Sequence, residues 1–162
     1  MRSRALVFFA AAVGLTAACE SSTEAKLVYT ASMTGAQENP TNTSTATGSF
    51  SGTLDPETNV MTYTLSFTGL GSNSILAHIH GPAAVGVNAN VLVDFSAAPR
   101  LIAFGATSGT GSGTINIAPT AVITATVTGD SLRKLFDLGL LYVNIHSANI
   151  GAGEIRGQIT KQ

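Results

Sequence analysis

The chain has 162 residues, 44% of them hydrophobic and only 10% charged, with a formal net charge of −1 and one cysteine. That charge balance offers no electrostatic footprint for nucleic acid, and a single cysteine excludes an internal disulfide. The length suits one domain with its own core, held by packing and backbone ladders.

Arg2 and Arg4 precede an uncharged apolar run, Ala5 to Ala18, which ends in small residues directly before Cys19. The run is too short to cross a membrane as a helix and is placed as a secretory signal is. Its junction with the sole cysteine is similar to a bacterial lipoprotein signal. On that reading residues 1–18 are removed and Cys19 becomes a lipidated N-terminus. The protein is then exported, periplasmic or on the cell surface, and held to a membrane through lipid. One acyl chain binds a membrane only marginally, so several are expected on that residue. An ordinary signal peptide with an unpaired thiol is the plainer alternative. Loss of Arg2 and Arg4 leaves 6 Lys+Arg against 9 Asp+Glu, a balance of −3.

Residues 19–26 read as a polar tether, and residues 27–162 as one β-rich domain. In MTYTLSFTG, Met61, Tyr63, Leu65 and Phe67 alternate with Thr62, Thr64, Ser66 and Thr68, the period of a half-buried strand. Further strands are expected in 26–35, 48–54, 75–81, 90–95, 112–118, 121–129, 140–147 and 153–160, where β-branched residues dominate between Gly, Asn, Asp and Pro. Pro56 and Asn59 mark a hairpin turn. One short helix is expected near 130–138, capped by Asp130 or Ser131, with Leu132, Leu135 and Phe136 on its apolar face and Gly139 at its exit. These elements predict an all-β fold, a Greek-key β-sandwich or barrel of immunoglobulin-like character, with the helix plugging one end.

Strand alternation sorts the polar residues. His78 and His80 share the face opposite Ala77 and Ile79. Tyr142, Asn144 and His146 lie opposite Leu141, Val143 and Ile145. Glu154, Arg156 and Gln158 are expected opposite Ile155 and Ile159. All three histidines of the chain fall in this set. An H-x-H pair places two imidazoles on one strand face with Cα atoms about 7 Å apart. That suits copper or zinc, with His146 as a third ligand and Glu154, Glu38 or Asp94 adding an oxygen. Asn144 or Tyr142 is suited to holding an imidazole in one tautomer, and Arg156 and Gln158 to bracing loops. The plainer reading is a solvated or mutually hydrogen-bonded network. Catalytic signals are thin. No G-x-S-x-G elbow occurs, Ser147 points away from its neighbour His146, and a carboxylate pair requires Glu38 to meet Glu154 in space.

The motifs GAQENP (35–40), AHIHGPA (77–83), LYVNIHS (141–147) and GEIRGQI (153–159) resemble the CHRD domain, over about Leu27 to Thr160. The resemblance implies a single extracytoplasmic β-rich domain, and it implies no particular enzymatic activity. It marks Gly35, Glu38, Pro40, His78, His80, Gly81, Tyr142, Asn144, His146 and Gly153 to Gln158. The expected function is a non-catalytic binding module whose His/Asn/Tyr/Glu face takes an extracellular protein, a saccharide or a metal ion. The alternative is a copper- or zinc-dependent redox or hydrolytic protein using His78, His80 and His146.

Overall fold

In the computed structural model, residues 24–97 and 104–162 are described. The expected signal segment, residues 1–18, and Cys19 lie outside them. Nine strands follow in chain order: β1 (Leu27–Thr34), β2 (Thr47–Asp55), β3 (Val60–Thr68), β4 (Ser74–His80), β5 (Val91–Asp94), β6 (Gly109–Asn116), β7 (Tyr142–Ser147), β8 (Ile155–Gln158) and β9 (Thr160–Lys161). Helix α1 (Gly129–Asp137) precedes β7. No helix among the described residues is long and apolar enough to cross a membrane.

The strands form one antiparallel sheet in the order β5-β4-β7-β8-β1-β2-β3-β6, with β9 also on β1. The first long hairpin is specified locally. β2 and β3 pair from Asp55↔Val60 to Thr47↔Thr68, and the turn between them carries Asn59 at φ 55°, a left-handed conformation that asparagine tolerates. In this register Phe50 faces Leu65 and Leu54 faces Met61. All four side chains are buried.

The sheet curls over its own apolar face. Phe95, just after β5 at one end of the strand order, lies 4.9 Å from the Tyr63 ring of β3 and 6.4 Å from Phe50 of β2. Strands that distant in order meet only if the sheet rolls, as twisted sheets do when they bury one side. The core so enclosed also takes Ala77 and Ile79 of β4, Val143 and Ile145 of β7, and Ile155 of β8. The fold is all-β and sandwich- or barrel-like, as the alternation predicts.

Helix α1 closes one end. Leu132 and Phe136 are fully buried, and the Phe136 ring sits 5.1 Å from that of Tyr29. The Tyr29 hydroxyl donates to Asp137 Oδ1 at 2.9 Å. Two local expectations are corrected. Thr128, not Asp130 or Ser131, caps the helix, its hydroxyl accepting from the Ser131 amide at 3.3 Å. Residues 121–129 form no strand. They keep one isolated bridge, Val122↔Thr128, because Thr124 folds back on the amides of Thr126 and Val127 and Val122 is 82% exposed. β-branched content there serves a turn that packs Ile123 and Val127 against the edge of the core without extending the sheet.

Phe136→Ala is expected to cost about 3–5 kcal/mol of folding stability, the usual price of emptying a buried phenylalanine site. Urea denaturation checks this. A loss within about 0.5 kcal/mol, as at surface positions, would show that α1 does not seal the core.

Candidate functional site

The site is a product of register. β4 and β7 are antiparallel neighbours, pairing His80↔Tyr142, His78↔Asn144 and Leu76↔His146. β5 sets Asp94 opposite His78, and β8 sets Arg156 opposite Asn144. One polar rung therefore runs Asp94, His78, Asn144, Arg156 across four strands. His80 stands diagonally across from Asn144, and His146 two residues along the same strand from it. The three imidazoles each offer a nitrogen within 4.8 Å of the others, with His78 5.4 Å from His80 and 4.9 Å from His146 between ring centroids.

Backbone carbonyls decide the tautomers, since a carbonyl oxygen only accepts. His146 Nδ1 lies 2.9 Å from Gly151 O, and His80 Nδ1 lies 2.9 Å from Ala89 O. In the neutral rings both protons sit on Nδ1, and both Nε2 lone pairs point into the cluster. His146 Nε2 meets His78 Nδ1 at 3.0 Å, while His78 Nε2 lies 3.7 Å from Asp94 Oδ1. In the metal-free rings His146 Nε2 therefore accepts from His78 Nδ1; moving that proton to Nε2, on the Asp94 side, would turn a lone pair of every ring inward. That is the way outer partners orient metal-ligating histidines.

Electrostatics favour the neutral rings. Burial pushes His78 down to about 4, and the His146 and His80 charges push the same way against Asp94. Burial lowers His80 and His146 as well, outweighing the Ala89 and Gly151 carbonyls. Neutral imidazole is the ligand form.

The other expected residues divide. Tyr142 stacks on His80, with ring centroids 4.8 Å apart and planes 2° from parallel. The Arg156 guanidinium carbon lies 3.4 Å from the Tyr142 centroid. Arg156 donates to Asn88 Oδ1 at 3.0 Å and Val87 O at 2.8 Å, and Gln158 donates to Ala83 O at 2.9 Å and Gly139 O at 2.8 Å. These side chains hold segment 82–90 against the sheet. Arg156 is 1% exposed and Tyr142 3%, so the face expected to receive a large partner is covered by the chain's own loop. Glu38 is buried near Asn144 and Arg156. Burial raises its carboxyl to about 7, against the Arg156 charge and hydrogen bonds from the Asn39 backbone and the Asn144 side chain.

Glu154 is a correction. The cluster among the described residues contains the three histidines without it. Its Oε1 accepts from Ser44 Oγ at 2.6 Å and the Gly71 amide at 2.8 Å, and Ser147 is among the groups that lower its carboxyl. Ser147 shares the side of β7 that Ile145 takes, opposite His146. Alternation fails at Glu154 because Gly153, at φ 130°, turns the chain just before β8 begins. Glu154 therefore ties loops together away from the histidines. Sequence reasoning also missed Ala89 and Gly151, which act through carbonyl oxygens that every residue type carries.

The titrations have opposed signs. The ordinary His78 value is 6.5 and the folded value about 4. Its stability contribution is present above 6.5 and lost as pH falls toward 4. Glu38 rises from 4.5 to about 7, so its contribution is present below 4.5 and lost as pH rises through 7. Metal-free Glu38→Gln protein is expected to lose stability more steeply than wild type on acidification from pH 6.5 to 4.5. Denaturation midpoints of equal pH slope would contradict the assignment.

Compared with known proteins, the chain has no match among curated sequences. It matches the CHRD domain from residue 29 to 159, which takes in the β4–β7 histidine face together with Glu38 and Arg156. The chain belongs to the CHRD domain family.

Proposed function

We propose that this protein is an exported CHRD module, anchored to a membrane by lipid on Cys19, that binds one zinc or copper ion through His78, His80 and His146. The observation that carries this reading is the convergence of three buried imidazoles within 4.8 Å, two of them with Nδ1 engaged by backbone carbonyls. An internal hydrogen-bond network is the competing account of three adjacent histidines. It leaves His80 with an oxygen acceptor at each nitrogen, Ala89 O and Asn144 Oδ1, which one neutral ring cannot serve. Nitrogen donors favour zinc or copper over magnesium or calcium. The burial of Tyr142 and Arg156 under segment 82–90 favours a ligand the size of an ion over a protein or saccharide at this face. The reading is of binding, with no catalytic step assigned.

Metal analysis and titration of the purified chain test it. Wild type is expected to hold one Zn²⁺ or Cu²⁺ per chain, and His80→Ala to bind at least about 100-fold more weakly, beyond what loss of an outer partner costs. Equal and weak binding by both proteins would remove the metal reading. For the anchor, Cys19→Ser is expected to move the protein from the membrane to the soluble fraction of its host. Unchanged membrane association would refute lipidation.

A further inference from the structure

We infer that Asn144 supplies the fourth donor of this site through its side-chain oxygen, and that Glu38 is the group that aims it. This rests on the three-histidine reading above. Asn144 is 3% exposed and occupies the middle of the cluster. It stands opposite His78 in the β4–β7 register and two residues from His146 on the same strand. Its Oδ1 lies 3.1 Å from His80 Nε2.

That contact has an unusual balance. The single proton of neutral His80 is on Nδ1, where Ala89 O can only accept it. The Nε2 lone pair therefore faces the lone pairs of Oδ1, an arrangement that repels unless a cation sits between them. Two donors bound tetrahedrally to one zinc at 2.0–2.1 Å are themselves roughly 3.3 Å apart. The contact from His80 Nε2 to Asn144 Oδ1 at 3.1 Å and that from His78 Nδ1 to His146 Nε2 at 3.0 Å both have about this spacing.

Glu38 fixes which end of the amide points inward. The Asn144 NH₂ group, the only donor of that amide, is directed to the Glu38 side, where the buried Glu38 Oε1 has no hydrogen-bond partner among the described residues. The oxygen is left on the His80 side. With the amide turned over, its oxygen would face the ionised carboxylate, the form Glu38 takes above about 7. Gly153 makes the pairing sterically possible: a Cβ there would come within 2.5 Å of Glu38 Oε1 and 2.8 Å of Asn144 Nδ2. Three imidazoles and one amide oxygen complete a four-donor set. Such a closed site retains an ion and leaves no position for an activated water.

The test uses the full chain loaded with Co²⁺ as a spectroscopic probe and with Zn²⁺ for affinity. Wild type is expected to give a four-coordinate Co²⁺ spectrum that added azide leaves unchanged. Asn144→Leu should bind Zn²⁺ about 10–100-fold more weakly, and azide should now alter its Co²⁺ spectrum, because solvent takes the fourth place. Glu38→Gln should shift the Co²⁺ bands while leaving one ion bound. If wild type binds neither ion, the three-histidine reading falls and this inference with it. If wild type binds and Asn144→Leu matches it in affinity, spectrum and indifference to azide, only the fourth-donor assignment falls. An unchanged Glu38→Gln spectrum overturns the role of Glu38. Should Asn144→Leu fail to fold, Asn144→Asp decides: a changed affinity and spectrum support the donor, and identity with wild type overturns it.

Discussion

The pairing of β4 with β7 is the constraint on which the rest of the site depends. It joins residues 74–80 to residues 142–147, far apart in the chain, in one antiparallel register. A slip of one residue would carry His78 and His80 into the apolar interior and turn Ala77 and Ile79 outward. The fully buried Ala77, Ile79, Val143 and Ile145 make that slip prohibitive, since burying each of the three larger side chains is worth about 1.5–3 kcal/mol. The apolar side thus holds the polar side in place. The histidines inherit their positions from packing on the opposite face of the same strands.

A second level of organisation comes from the loop over that face. Arg156 sits between the sheet and segment 82–90, stacked on Tyr142 and bonded to Val87 and Asn88. Asn39 adds a tie, donating to Gly86 O at 2.8 Å, while Asn88 donates to Asn39 O at 2.8 Å. The motif around Glu38 and the loop after His80, remote in sequence, thereby close over one pocket. Covering the imidazoles removes water from them, and this is the largest cause of their lowered proton affinity. The same loop brings the Ala89 carbonyl to His80. Burial and tautomer control share one structural origin.

Much of this was legible in residue order. Period-two alternation located β3 and the polar parity of β4 and β7, and Pro56 with Asn59 located the β2–β3 turn. The apolar spacing of Leu132 and Phe136 located α1. Legibility failed where local chemistry had two outlets. Residues 121–129 are as rich in β-branched side chains as a strand, yet Thr124 turns the chain back on itself. At Glu154 a count by twos continued through a residue that precedes the strand, and the positive φ of Gly153 reversed the outcome. Both misses arise because periodicity describes a strand only where a strand exists.

What the sequence determined by itself was membership within β4 and β7: which of their side chains belong to the polar face and which to the core, because alternation is a property of the single strand. Tertiary structure decided association. Only the curled sheet and its order show that β4 and β7 are neighbours, that Asn144 lies among the three histidines, and that Glu154 does not. It also decided protonation. The groups that hold Nδ1 of His80 and His146 are backbone carbonyls of Ala89 and Gly151, which residue identity does not encode. Their position is set by where the loops close, and that closure depends on contacts between segments far apart in the chain.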